Sequence, residues 1–333
     1  MVPDVEVSVP VRGRAQPLHG CTEPRHIVRD CRVVIEARGL VKHYGTTIAV
    51  DDLTFSVRAG IVTGFLGPNG SGKSTTMRMM IGLDHPDAGS VTIDGLPYGE
   101  IKWPLRQVGA LLEAKALHPG RSARNHLRAL AASNRIPRSR VEEMIELVGL
   151  ATVAKKRAGG YSLGMGQRLG IAAALLGDPE VVLFDEPVNG LDPEGIQWVR
   201  ELLRSLAKQG RTVFVSSHLM SEMALTADHV IVIGKGKLLE DADIGEMIAK
   251  AGTSVLVRSP DAARLAEALG RSGATVHPQA DGSLIVTELA AAAIGEVAAR
   301  EGVVLHELAP QQASLEEAFM ALTKEHLEFG HST

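Results

Sequence analysis

The stretch IVTGFLGPNGSGKST (residues 61–75) constrains the fold more than any other part of the chain. An apolar run leads into GPNGSGKST (67–75), which fits G-x-x-x-x-G-K-[ST] with Gly67, Gly72, Lys73 and Ser74. That order predicts a buried strand, a tight loop and a helix. Glycines let the loop backbone wrap closely round a phosphate with its amides turned inward. The helix that follows offers its N-terminal amides and its dipole to the same anion. Lys73 is placed to reach β- and γ-phosphates, and Ser74 to hold Mg²⁺. A chance match to this pattern is expected on the order of 0.01 times per chain. The predicted nucleotide cradle is therefore Gly67, Pro68, Asn69, Gly70, Ser71, Gly72, Lys73, Ser74 and Thr75.

A second stretch, VVLFDEP (181–187), supplies carboxylates. A short continuous apolar run is the mark of a central parallel strand. It ends in Asp185, suited to Mg²⁺, and Glu186, suited to orient or deprotonate an attacking water. The pair is weak by itself and strong beside a phosphate loop.

Composition narrows the setting. The 333 residues suggest two domains, or one with an appendage. Net charge is −4, which gives no electrostatic footprint for nucleic acid. No run of 18 apolar residues occurs, so no transmembrane helix is expected. Both cysteines, Cys21 and Cys31, fall in the first 31 residues. With His19 and His26 they do not match a zinc-knuckle spacing. Residues 1–32 read as a polar, disordered extension.

From Val33 to Gly67 the alternation of apolar and polar residues reads as a small antiparallel sheet, with IVTGFLG as its last, buried run. A helix, KSTTMRMMIGL, and a strand with a DG turn, GSVTIDGLPY, come next. A helical region is expected from about 103 to 177, and VEEMIELVGL puts Val141, Met144, Ile145 and Val148 on one face. RTVFVSS (211–217) and HVIVIGKGKLLE (229–240) are further strands. Beyond about residue 250 we expect strand 253–258, helix 260–270, strand 274–278, strand 284–287, helix 288–301 and strand 303–308. That is the split β-α-β-β-α-β order of ferredoxin-like domains. A last helix opens with Ser314 and Glu317 in capping-box register.

The motif order completes the picture. Lys73, YSLGMGQR (161–168), VVLFDEP, NGLDP (189–193) and SSHLM (216–220) follow one another. Over about residues 33–245 this series resembles the ATP-binding cassette (ABC) ATPases. The resemblance implies an α/β P-loop NTPase cassette with a RecA-like core, an antiparallel β subdomain and a helical subdomain. A small C-terminal ferredoxin-like α/β domain would occupy 246–333. In that family YSLGM looks like the signature loop, so Ser162 and Gly164 match positions that contact the γ-phosphate of ATP held by a second subunit. Tyr44 matches the aromatic that stacks on adenine, His218 the switch histidine, and Asp192 the loop that crosses to the other subunit. With Lys73, Glu186 and His218 are the implied catalytic residues.

Three positions depart from the usual family pattern. Leu163 and Met165 replace a glycine and a glutamine of LSGGQ. Glu113, in VGALLEAKALHP, stands at the glutamine-loop position, where a carboxylate is a further candidate to meet Mg²⁺. NGLDP replaces the frequent SALD. These variants resemble ATPase subunits of ABC-2 type exporters of antibiotics and other drugs. The implied chain hydrolyses ATP with Mg²⁺ and pairs head-to-tail with a second copy or a sister ATPase. It serves a separate integral-membrane permease from the cytoplasmic face of the membrane, moving a drug, antibiotic or lipid-like substrate. The helical region with RIPRSR (135–140) is a candidate docking face for the permease, or a solvated loop. The alternative is a non-transport ABC ATPase acting on ribosome or DNA. Lys73 and Ser162 lie too close in sequence for the coiled-coil or zinc inserts of DNA-acting relatives.

Overall fold

The computed structural model describes residues 32–113, 117–250, 252–312 and 314–328. The expected extension, with His19, Cys21, His26 and Cys31, lies outside the described residues except for Arg32. Residues 114–116 of the glutamine-loop stretch also lie outside them. The chain divides into two compact units, the first ending at Ala242 and the second beginning at Asp243.

In chain order, the first unit holds β1 (Val33–Tyr44), β2 (Thr47–Arg58), β3 (Val62–Leu66), α1 (Lys73–Met80), β4 (Ala88–Ile93) and β5 (Val108–Leu111). Next come α2 (Ala123–Ser133), α3 (Arg138–Leu147), α4 (Leu163–Leu175), β6 (Val181–Asp185) and α5 (Pro193–Lys208). Then follow β7 (Thr212–Ser217), α6 (Met220–Thr226), β8 (His229–Gly234) and β9 (Lys237–Asp243), which ends at the division.

Six strands form one sheet in the order β5-β6-β7-β3-β8-β9. Every residue of β3, β6 and β7 is buried. This is why they read as continuous apolar runs: a parallel strand covered on both faces has no solvent side. β3 pairs in parallel with β7 and β8, and β6 with β5 and β7. The register sets Phe65 beside Ser216 and Ser216 beside Asp185, so β3, β7 and β6 end together. In an open parallel sheet that carboxyl edge is where ligands bind.

A second, antiparallel sheet has the order β2-β1-β4. Aromatic packing ties it to the first. Phe55 of β2 lies 5.6 Å from Phe65 of β3 and 5.9 Å from Phe214 of β7, and the last two are 5.1 Å apart, ring centre to ring centre. On α3 and just beyond its end, Val141, Met144, Ile145 and Val148 are all buried, as their spacing predicts.

Three expectations for this unit are corrected. β3 belongs to the parallel sheet and not to the antiparallel one, because its partners lie about 150 residues downstream, beyond the reach of local alternation. The region from 103 to 177 is not wholly helical: β5 is a strand at the sheet's edge, four residues long and stabilised by pairing with β6. RIPRSR is not a plain exposed loop. Ile136 is buried, α3 begins at Arg138, and Arg140 pairs with Glu143 and Asp178.

The second unit holds α7 (Ile244–Lys250), β10 (Thr253–Arg258), α8 (Ala262–Arg271), β11 (Thr275–Pro278), β12 (Leu284–Thr287), α9 (Ala291–Glu301), β13 (Glu307–Gln312) and α10 (Leu315–Glu328). Its antiparallel sheet has the order β11-β12-β10-β13. With α8 and α9 as crossovers, this is the split β-α-β-β-α-β arrangement. Val255, Val257, Leu284 and Val286 pack on Leu265, Leu269, Ile294 and Val297. The last strand starts at Glu307 and not at 303. Gly302 ends α9 in a left-handed conformation, and the Val303 N–H returns to the Ala298 carbonyl at 2.9 Å, so this stretch closes the helix. Ser314 and Glu317 form the predicted capping box: the Ser314 N–H donates to Glu317 Oε2 at 2.7 Å, and the Glu317 N–H to Ser314 Oγ at 3.1 Å. Among the described residues no helix is long and apolar enough to cross a membrane.

Candidate functional site

The loop 67–72 connects β3 to α1 at the carboxyl edge of the large sheet. Two of its glycines are dictated by space. A Cβ at Gly67 would lie 2.5 Å from both the Ile233 carbonyl and Ser71 Oγ. Gly72 has φ +103°, and a Cβ there would sit 2.4 Å from the Ala49 carbonyl. Pro68, Asn69 and Gly70 are exposed at the tip. Lys73, the first residue of α1, is buried, and its Nζ donates to the carbonyls of Gly67 at 2.6 Å and Pro68 at 3.1 Å. Burial pushes the Lys73 pKa down, while the Glu186 and Asp185 carboxylates oppose that shift. Ser74 is exposed and Thr75 half-buried at the same helix start.

Asp185 ends β6 and is buried. Ser216 of β7 donates its hydroxyl to Asp185 Oδ1. The same Oγ accepts the Glu186 N–H at 3.1 Å. Glu186 has φ +49°, a left-handed backbone that costs a non-glycine residue roughly 1–2 kcal/mol. Its surroundings over-determine that conformation. Its N–H is held by Ser216, and its carbonyl accepts from Gln167 Nε2 at 2.9 Å and the Asn189 N–H at 3.2 Å. The half-buried Glu186 carboxylate meets Nδ1 of the exposed His218 at 2.8 Å.

Tyr44 ends β1 with its ring about half exposed. Its hydroxyl donates to Asp84 Oδ2 at 2.7 Å, and the Arg78 guanidinium of α1 donates to the same oxygen at 2.7 Å. Arg78 and Tyr44 as donors hold the Asp84 carboxyl below the usual carboxylate range. The hydrogen bond to Asp84 leads the causes that push the Tyr44 hydroxyl up.

Ser162 caps α4: its Oγ accepts the Met165 N–H at 3.2 Å. Asp192 caps α5 by accepting the Gly195 N–H at 2.9 Å. The α4 turn and the 189–192 loop touch, since a Cβ on Gly164 would lie 3.0 Å from the Gly190 carbonyl. Glu113 is exposed two residues beyond β5, which runs beside β6.

The structure thus gathers Lys73, Asp185, Glu186 and His218 at adjacent strand ends, with Tyr44 near the end of α1 through Asp84. Ser216, Gln167 and Asp84 are site residues that the sequence motifs do not single out. The first two lay inside the quoted motifs SSHLM and YSLGMGQR, but only the fold turns them toward Asp185 and Glu186. Nothing near Asp84 in the sequence signals its link to Tyr44, 40 residues away.

The residues fit a nucleotide with its metal. Ser71 Oγ is buried with no hydrogen-bond partner, inside a loop where Gly67 and Gly72 leave no room for a Cβ. Among the described residues no group of three or more His, Cys, Asp or Glu forms a metal cage. The oxygens that could hold Mg²⁺ are those of Ser74 at the start of α1 and Asp185 at the end of β6, and Mg²⁺ commonly takes one or two protein ligands beside phosphate and water.

A glycine cradle, a buried lysine and a carboxylate pair on one edge of a parallel sheet define a P-loop nucleoside triphosphatase. Comparison with known proteins narrows the class. The ABC transporter family matches residues 50–189, and a domain family of unknown function matches 253–316. The bacitracin transport ATP-binding protein BcrA of Bacillus licheniformis is 44% identical over 211 residues, 62% of this chain and 69% of that protein. An uncharacterized ABC transporter ATP-binding protein, YdbJ, of Bacillus subtilis is 31% identical over 303 residues, 89% of this chain and 97% of that protein. The dimeric structure of an ATP-binding cassette in a post-hydrolysis state, bound to ADP and Pi, superposes with TM-score 0.58 at 23% identity, covering 63% of this chain and 98% of that one. The chain belongs to the ATP-binding subunits of ABC transporters, and it is an ATPase.

Proposed function

We propose that this ATPase drives an exporter of the ABC-2 type, taking an antibiotic, drug or lipid-like substrate out through a separate membrane-spanning permease. The observation that carries this reading is the 44% identity with a bacitracin transport ATP-binding protein across the cassette. The chain would work peripherally, on the cytoplasmic face of the membrane, held there by the permease. In this reading residues 33–245 form the cassette and 246–333 an accessory domain.

Within the cassette, Lys73 and the amides of 67–75 bind the phosphates, and Tyr44 stacks on adenine. Ser74 and Asp185, with Glu113 as a further candidate, would hold Mg²⁺, which neutralises phosphate charge when bound. Glu186 takes up or orients the proton of the attacking water, and His218 holds the Glu186 carboxylate. General-base help of this kind contributes about 10²–10⁴-fold. Ser162, Gly164 and Asp192 face the nucleotide of a second subunit, so that two chains close head-to-tail on two nucleotides.

The test is recovery of tagged Glu186→Gln protein from gently solubilised native membranes with Mg-ATP, read by mass spectrometry. A stoichiometric multi-span membrane protein supports the exporter. Ribosomal or DNA-bound proteins without a membrane partner transfer the ATPase to the alternative class.

A further inference from the structure

We propose that Leu163, Gln167 and Gly190 are positioning residues that lock the signature turn to the segment carrying Glu186, so that both move as one body when two subunits close. The proposal rests on the composite-site reading above. Gly190 has φ +75°, and a Cβ built on it would lie 2.3 Å from Leu163 Cδ2 and 2.5 Å from Leu163 Cγ. The leucine side chain fills the space that any side chain at 190 would need. The fit is reciprocal, because a Cβ on Gly164 would crowd the Gly190 carbonyl at 3.0 Å.

Two of the departures from the family pattern are thus the two halves of one contact. Leu163 stands where the usual signature has glycine, and Gly190 stands where SALD has alanine. A leucine opposite alanine would clash, and a glycine opposite glycine would leave a gap.

Gln167 supplies a second lock one turn along α4. It is buried, and its Nε2 donates to the Glu186 carbonyl at 2.9 Å. α4 therefore grips the segment 186–190 at both ends, while its N-cap Ser162 stays exposed. A shift of that exposed turn is passed to the 186–190 segment through these two contacts within one subunit. Leu163 is about half exposed, so truncating it opens no core cavity.

The experiment is a double-mutant cycle on the full chain: Gly190→Ala, Leu163→Gly and the pair together. Each is measured for ATP turnover and, in a Glu186→Gln background, for Mg-ATP-driven dimer by light scattering. The backbone strain of alanine at φ +75° is common to both backgrounds and cancels in the cycle. Gly190→Ala is expected to lower turnover about tenfold and to reduce the dimer, with the combined variant at least about threefold more active than Gly190→Ala. Single-subunit nucleotide affinity stays at the parental value, while the melting temperature without nucleotide falls with the backbone strain of Gly190→Ala; turnover that Leu163→Gly restores while that strain remains separates positioning from folding stability. Additive effects, or a Gly190→Ala variant as active as the parent, overturn the proposal while the composite site stands. A Glu186→Gln parent that stays single with Mg-ATP overturns the composite site itself and this proposal with it.

Discussion

Nδ1 of His218 lies 2.8 Å from Oε2 of Glu186, across the ends of two neighbouring strands. An ionised carboxylate can only accept, so Nδ1 carries the proton and the imidazole steers the carboxylate. Glu186→Gln keeps a side chain of the same shape but removes the base. Phosphate release is expected to fall about 10²–10⁴-fold with ATP binding retained. His218→Ala leaves the base in place but unheld, so its turnover should fall less than that of Glu186→Gln. A His218→Ala protein as inactive as Glu186→Gln would give the histidine a role beyond orienting the carboxylate.

Lys73 is buried and held by two loop carbonyls. The same ammonium shapes the loop and awaits the phosphates. Lys73→Ala removes both, and turnover is expected to fall by about 10²-fold or more, as for loss of a transition-state donor. Nucleotide titration by fluorescence separates the two roles: lost affinity accompanies the lost turnover. Retained turnover would remove Lys73 from the site.

Much of this was legible in the sequence, and the residues show why. The phosphate loop is local: its glycines, lysine and serine are contiguous, so steric need and motif coincide. Asp185 and Glu186 were legible because β6 buries an unbroken apolar run before them. β5 was not, since a four-residue edge strand gains its identity from pairing with β6, 73 residues on. Ser216 was not legible either, because a serine just ahead of a histidine carries no signal until parallel register sets it against Asp185. Val303 reads as strand because its apolar character serves a strand and the capping turn of α9 equally well.

Ser216 is fully buried and bridges Asp185 and the Glu186 N–H. Ser216→Ala strips a donor from a buried carboxylate, a loss of about 1.5–3 kcal/mol for a hydrogen bond to a charged group. Thermal unfolding is expected to show the destabilisation, and turnover should fall because Glu186 loses a backbone anchor. Ser216→Thr keeps the hydroxyl and should recover part of the turnover. Equal turnover of Ser216→Ala and the parent would show that the anchor is dispensable.

Asp84 holds the Tyr44 hydroxyl and the Arg78 guanidinium together. Its folded pKa lies below the ordinary value of about 3.9, so its stabilising effect is complete above that pH. The effect disappears as the pH falls through the lower folded value. The stability gap between parent and Asp84→Asn should therefore be constant near neutrality and close on acidification below about pH 4. At neutral pH the variant should bind ATP less tightly, by under about tenfold, with affinity for inorganic triphosphate unchanged, because only the adenine platform loosens. An equal loss for both ligands would move the effect from Tyr44 to α1.

Phe214 sits at the centre of the first unit's core, fully buried between Phe55 and Phe65. It lies on β7, two residues before Ser216, so its packing also fixes the strand that carries Ser216 and leads to His218. Phe214→Ala removes one of the two aromatic contacts between the antiparallel and parallel sheets, leaving Phe55 against Phe65, and should cost about 3–5 kcal/mol. Phe214→Leu keeps most of the volume and should cost under about 1.5 kcal/mol if the neighbours repack. Denaturant unfolding measures both. With Phe214→Leu still folded at 25 °C, its turnover tells whether the aromatic contact positions the site or only stabilises it. Parental turnover assigns Phe214 to stability. A fall in kcat with unchanged KM assigns it to the geometry of β7, because nucleotide binding depends on the intact loop after β3 while hydrolysis depends on where β7 leaves Ser216 and His218.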